Sequence, residues 1–174
     1  MCDFKTEYLK INAKYTPKVP FCLKKSMMVP LNLPAFDIKL VEIEGKIHVF
    51  DIYRKKHLLL TPEEWVRQHF VNLLVKHYQY PSGLIKMEGG LTYNRLKKRS
   101  DIVVFDAEGN PFLLVECKAA DVPLTQSVIE QASRYNLTLK CPFVVVTNGM
   151  KTFCFQVDFE ENSFIQCMDL PEFP

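Results

Sequence analysis

Asp101-Ile-Val-Val-Phe-Asp-Ala-Glu-Gly-Asn-Pro-Phe-Leu-Leu-Val-Glu-Cys-Lys118 is the stretch whose reading decides the fold. Two apolar runs flank Ala107-Glu108-Gly109-Asn110, a turn sequence, so the segment reads as a β-hairpin. If the turn centres on Glu108-Gly109, Ile102 faces Val115 and Asp101 faces Glu116. Residues that face each other in an antiparallel pair project to one side of the sheet, and Lys118, two residues on, shares that side. The open end of one hairpin then gathers two carboxylates and an ammonium. A slip of one residue, for which Pro111 is the obvious cause, would break this alignment.

A charged trio between apolar runs is costly unless something compensates it. A divalent cation would do so. Two hard carboxylates from different strands, completed by water and a substrate phosphate, suit Mg²⁺, for which Mn²⁺ can substitute. Lys118 would orient or help deprotonate a water, or stabilise charge on a phosphate in the transition state. The basic residues Arg95, Lys97, Lys98 and Arg99 just before Asp101 would meet the backbone of a polyanion at the same edge. The plainer alternatives are a structural ion-pair cluster at a sheet edge and a solvated basic turn.

Outward from the hairpin, Leu124 to Leu139 reads as a helix. Phe143-Val-Val-Val-Thr147, closed by Asn148-Gly149, reads as a strand buried on both faces. Lys151 to Val157 and Ser163 to Met168 read as two further strands, and Ile85 to Tyr93 as a strand before the hairpin. Upstream, Thr61-Pro62-Glu63-Glu64 is a helix start: an N-cap threonine, a proline at the first position and a glutamate completing a capping box. Val66, Phe70, Leu73, Leu74 and His77 recur behind it at helical spacing until Pro81-Ser82-Gly83, with His69 on the surface and His77 in the core. Asp37 to Tyr53 alternates as a β-hairpin turning at Glu44-Gly45. The expected architecture is α/β, with a mixed central sheet flanked by helices and an N-terminal β-hairpin extension. It comprises an extension over residues 1–60, packed on the core, and a domain over residues 61–174.

The chain has 174 residues, 22 Lys plus Arg against 20 Asp plus Glu, and 48% hydrophobic content, which excludes a disordered or low-complexity chain. Its net charge of +2 conceals an uneven distribution. Residues 1–60 carry 11 basic and 6 acidic side chains, and residues 119–174 carry 3 and 7. No apolar run approaches the roughly 20 residues needed to span a bilayer, and Met1 to Pro20 lacks a signal-like apolar core. None of the six cysteines forms a C-x-x-C pair, and Cys117, Cys141 and Cys154 lie in apolar runs. A reduced, cytoplasmic protein with buried thiols is expected. The four histidines show no zinc-ligand spacing.

Asp101 followed by Glu116-Cys117-Lys118 resembles the PD-(D/E)xK nuclease motif. Thr61-Pro-Glu-Glu-Trp-Val-Arg-Gln68, Lys98-Arg-Ser-Asp101, Glu116-Cys-Lys-Ala119, Glu130-Gln-Ala-Ser-Arg-Tyr135 and Val146-Thr-Asn-Gly149 together look like the N-terminal nuclease domain of type I restriction enzyme R subunits. That resemblance covers about residues 61–157. It implies a restriction-endonuclease-like αβββαβ core and Mg²⁺-dependent endonuclease activity on DNA, with metal on Asp101 and Glu116 and Lys118 beside it. It also implies a role for Gln131, which falls on the core-facing side of its helix, and metal-site involvement of Glu64. Tyr135 is a candidate DNA-lining residue. Ser100 stands where relatives commonly carry proline. No G-x-x-x-x-G-K-[ST] loop occurs, so ATP-driven translocation is not expected of this chain alone. A separate motor or specificity subunit is therefore a candidate partner. The alternative functions are a non-catalytic nucleic-acid-binding or assembly module keeping the fold, and a subunit active only with a partner.

Overall fold

The structure, a computed structural model, describes residues 28–87 and 101–174. Alternating hydrophobic residues build a small antiparallel sheet first, from β1 (Leu40–Ile43), β2 (Lys46–Asp51) and β3 (Lys56–Leu59). Glu44 and Gly45 turn the first hairpin with φ of 51° and 73°, the left-handed pair that a two-residue hairpin turn requires. The strand β3 was not anticipated. Its start, Lys56-His57, is polar, and the turn before it is set by a side chain: Asp51 Oδ1 accepts the N–H groups of Tyr53 (2.8 Å) and Arg54 (2.7 Å).

Helix α1 (Pro62–Lys76) starts as its sequence dictates, with Thr61 Oγ1 accepting the Glu64 N–H at 3.0 Å. It stops at Lys76, and a short 3₁₀ turn occupies Ser82–Leu84. The two histidines are therefore exchanged relative to expectation: His77 lies at the C-cap and is exposed, while His69 is buried. The His69 ring sits 4.3 Å from the Trp65 ring and 4.9 Å from that of Phe36. Burial pushes its pKa down to about 4.

The larger sheet runs β4 (Ile85–Met87), β5 (Ile102–Phe105), β6 (Pro111–Cys117), β7 (Phe143–Thr147), β8 (Thr152–Asp158) and β9 (Ser163–Cys167), in that spatial order. All neighbours are antiparallel except β6 and β7. Helix α2 (Gln126–Leu139) makes the crossover between that parallel pair. The sheet is thus mixed, and alternation along its strands splits the core in two. Ile102, Val104, Leu113, Val115, Cys117 and Val145 face α1, sharing a cluster with Val66, Phe70, Leu74 and with Ile47 and Val49 of the small sheet. Val103, Leu114, Val144 and Val146 face α2 through Ala132, Val128 and Tyr135. Cys117, Cys141, Cys154 and Cys167 carry free thiols. Among the described residues no helix is long and apolar enough to cross a membrane.

Candidate functional site

The hairpin register falls where its sequence places it. Ile102 pairs with Val115, Val103 with Leu114 and Val104 with Leu113. Pro111 does shift the pairing, but only at the turn, through a bulge between Val104 and Phe105. Continuing the register past Ile102 sets Asp101 against Glu116. Asp101 then takes over the ladder with its side chain, since its Oδ2 accepts the Cys117 N–H at 2.7 Å. Glu116 alternates with Cys117, and its Oε1 accepts a hydrogen bond from Lys118 Nζ at 2.8 Å. The backbone of Lys118 is fixed in turn by donation to Thr147 O at 2.8 Å. The segment Val146-Thr-Asn-Gly149 therefore reads as scaffolding: Asn148 Nδ2 donates to Val122 O at 2.9 Å, pinning the loop that follows Lys118.

Helix α1 supplies a cation that the sequence reading did not assign. Arg67 donates from one guanidinium nitrogen to Asp101 Oδ1 (2.6 Å) and to Glu63 (3.2 Å), and from another to Glu64. Glu64 is buried, and its carboxylate does not fold back to complete the capping box. It also accepts from Arg54 at 2.5 Å and from Gln68 at 2.7 Å. Arg54 and Gln68 both donate to Asp51 Oδ2, at 2.5 and 2.8 Å. A continuous path of ion pairs and hydrogen bonds thus joins the β2–β3 turn to Asp101. The available signal was the polar stripe Glu64, Gln68, Asn72, spaced i, i+4, i+8 on a helix whose other positions are largely apolar.

Among the described residues, acids outnumber bases around this path. Among the described residues five carboxylates (Asp51, Glu63, Glu64, Asp101, Glu116) share three cations (Arg54, Arg67, Lys118), a formal charge of −2 when all are ionised. The strain shows at two positions. Burial and then repulsion from Asp101 raise the carboxyl pKa of Glu116, and the same two causes raise that of Glu63. Burial works against the Lys118 ammonium, but its hydrogen bond and attraction to Glu116 prevail and raise its pKa. Asp51 is held low despite burial by the Arg54 N–H, Gln68 and Arg54.

These features fit one divalent cation with oxygen ligands. Glu116 Oε2 makes no hydrogen bond to a described residue. Among the described residues no three acidic, His or Cys side chains converge as a ready-made cage. Among the described residues Glu64 reaches Asp101 through Arg67.

The structure thus brings Asp101, Glu116 and Lys118 together and ties Glu64 to them. Gln131 is half-buried on α2, the helix over the face from which Leu114 and Glu116 project, and hydrogen-bonds to no described residue. Tyr135 packs in the cluster beneath that helix. Arg95, Lys97, Lys98 and Arg99 lie outside the described residues.

A mixed sheet with a helix on each face and a charged centre at the open end of its central hairpin defines an α/β domain built around an acidic site. The chain belongs to the family described as type I restriction enzyme R protein N terminus, whose model matches residues 62–174. A solved fragment assigned to the HsdR subunit of a type I restriction enzyme from Vibrio vulnificus YJ016 is similar at 22% identity. That similarity covers 51% of this chain and 17% of the other, with a TM-score of 0.35. No curated protein matches the chain.

Proposed function

We propose that this chain is a metal-dependent DNA endonuclease with a restriction-endonuclease-like core. The observation that carries the reading is the placement of Asp101 and Glu116, both buried, across the open end of β5 and β6 beside Lys118. Family membership supports it, as does the element order of a helix, three strands, a helix and a strand. Asp101 and Glu116 would hold Mg²⁺ or Mn²⁺. When bound, such a cation lowers the pKa of water and offsets charge on the attacked phosphate.

The chain's own residues account for the rest. Arg67 and the Cys117 N–H fix both oxygens of Asp101, so that the carboxylate meets a cation in one orientation. Lys118, whose Nζ donates to Glu116 at 2.8 Å, is placed to orient water and to counter phosphate charge. Gln131, on the helix covering the Glu116 face, would orient water. DNA would reach the site past Arg95, Lys97, Lys98, Arg99 and Tyr135, and partner subunits would supply translocation or sequence choice.

A second reading, a non-catalytic module, is favoured by one observation: both oxygens of Asp101 already have protein partners. Incubating the protein with linear, circular and single-stranded DNA in Mg²⁺ or Mn²⁺ separates the two. Cleavage abolished by Glu116→Ala and strongly reduced by Lys118→Ala supports the endonuclease. Cleavage that survives both substitutions, or none at all in any metal, refutes it.

A further inference from the structure

The family match begins at residue 62, yet the path that orients Asp101 begins upstream of it. The β2–β3 turn is docked on α1 by three side-chain links. Asp51 accepts from Gln68 at 2.8 Å, Arg54 donates to Glu64 at 2.5 Å, and the Tyr53 hydroxyl donates to Asn72 at 3.2 Å. Their targets Glu64, Gln68 and Asn72 form one stripe along the helix. Asp51 is fully buried and organises the turn through its bonds to the Tyr53 and Arg54 N–H groups. Arg54 is the connecting piece. Its Nε donates to Asp51 and its terminal nitrogen to Glu64, so one planar guanidinium spans the small sheet and the helix. Glu64 then bonds Arg67, and Arg67 bonds Asp101.

We propose that Arg54, held by Asp51, is a positioning residue of the nuclease centre. Through Glu64 and Arg67 it sets the orientation in which Asp101 meets the cation. The small sheet is then a working part of the site rather than a covering element. This inference rests on the nuclease reading, and it goes beyond the segment that the family match covers.

Lysine at this position keeps the charge and can reach one carboxylate, but a single ammonium cannot reproduce the fork that reaches both. Arg54→Lys is therefore the informative variant, because Arg54→Ala would remove the cation that two buried carboxylates share and destabilise the fold. Mn²⁺ affinity is measured by calorimetry on folded, full-length protein for the parent, Arg54→Lys and Glu116→Ala, with thermal melts alongside. Loss of an outer support of a metal ligand typically weakens metal binding about tenfold or more. The expected result is a melt within a few degrees of the parent, Mn²⁺ binding weakened about tenfold in Arg54→Lys, and none in Glu116→Ala. The Mn²⁺ midpoint for DNA cleavage should rise by the same factor, with KM for DNA unchanged. Parent-like Mn²⁺ affinity in folded Arg54→Lys, with binding abolished in Glu116→Ala, overturns this inference alone. Parent-like affinity in both variants overturns the metal site itself and this inference with it.

Discussion

Replacing Arg67 by methionine keeps an unbranched stem but removes the guanidinium, so Asp101 and Glu64 lose the cation they share, and Glu64 keeps only its bonds to Arg54 and Gln68. Removing one partner of a buried pair costs about 3–5 kcal/mol. The Glu63 contact adds only ~0.5 kcal/mol, because that carboxylate is 45% exposed and screened by solvent. Trp65, the chain's one tryptophan, is buried on the same helix and reports unfolding directly. Urea titrations followed by its fluorescence at pH 8 should give a loss of about 3–5 kcal/mol. A loss below about 1 kcal/mol would refute the claim that Arg67 is the cation holding this centre together.

Two further perturbations probe the surroundings. His69 has its pKa lowered from 6.5 to about 4, so stability is full above 6.5 and falls as pH drops toward 4 while the unfolded chain takes up a proton first. This amounts to about 2 kcal/mol by pH 5, and His69→Phe should flatten the pH dependence of urea unfolding in that window; an unchanged slope would show that other groups cause it. Gly149 has φ of 78°, and a Cβ there would stand 2.8 Å from Leu31 Cδ2. Gly149→Ala should cost about 1–3 kcal/mol in the same titration, and less when combined with Leu31→Ala; strict additivity would place the strain elsewhere.

The hairpin was legible because its determinants are local. Gly109 and the turn around it set the register, and the disturbance from Pro111 was absorbed by a bulge at the turn, away from Asp101 and Glu116. The start of α1 was equally local, since Thr61 and the Glu64 N–H lie three residues apart. What escaped the sequence was the use of Glu64. Its capping-box assignment was complete on local grounds, yet its carboxylate goes to Arg54 and Arg67 because helix and turn pack together. The links Asp51 to Gln68 and Arg67 to Asp101 join residues 17 and 34 positions apart, and no periodicity records such pairs. β3 escaped for a related reason: a short strand whose first residues are polar owes its place to pairing with β2 rather than to its own pattern.

The central claim is that Asp101 and Glu116 together hold a divalent cation. Anomalous diffraction from crystals soaked in Mn²⁺ tests it most directly. The account predicts a single strong peak within coordination distance of both carboxylates, absent from Glu116→Ala crystals. No peak between them, at a Mn²⁺ concentration that supports DNA cleavage in solution, would contradict it.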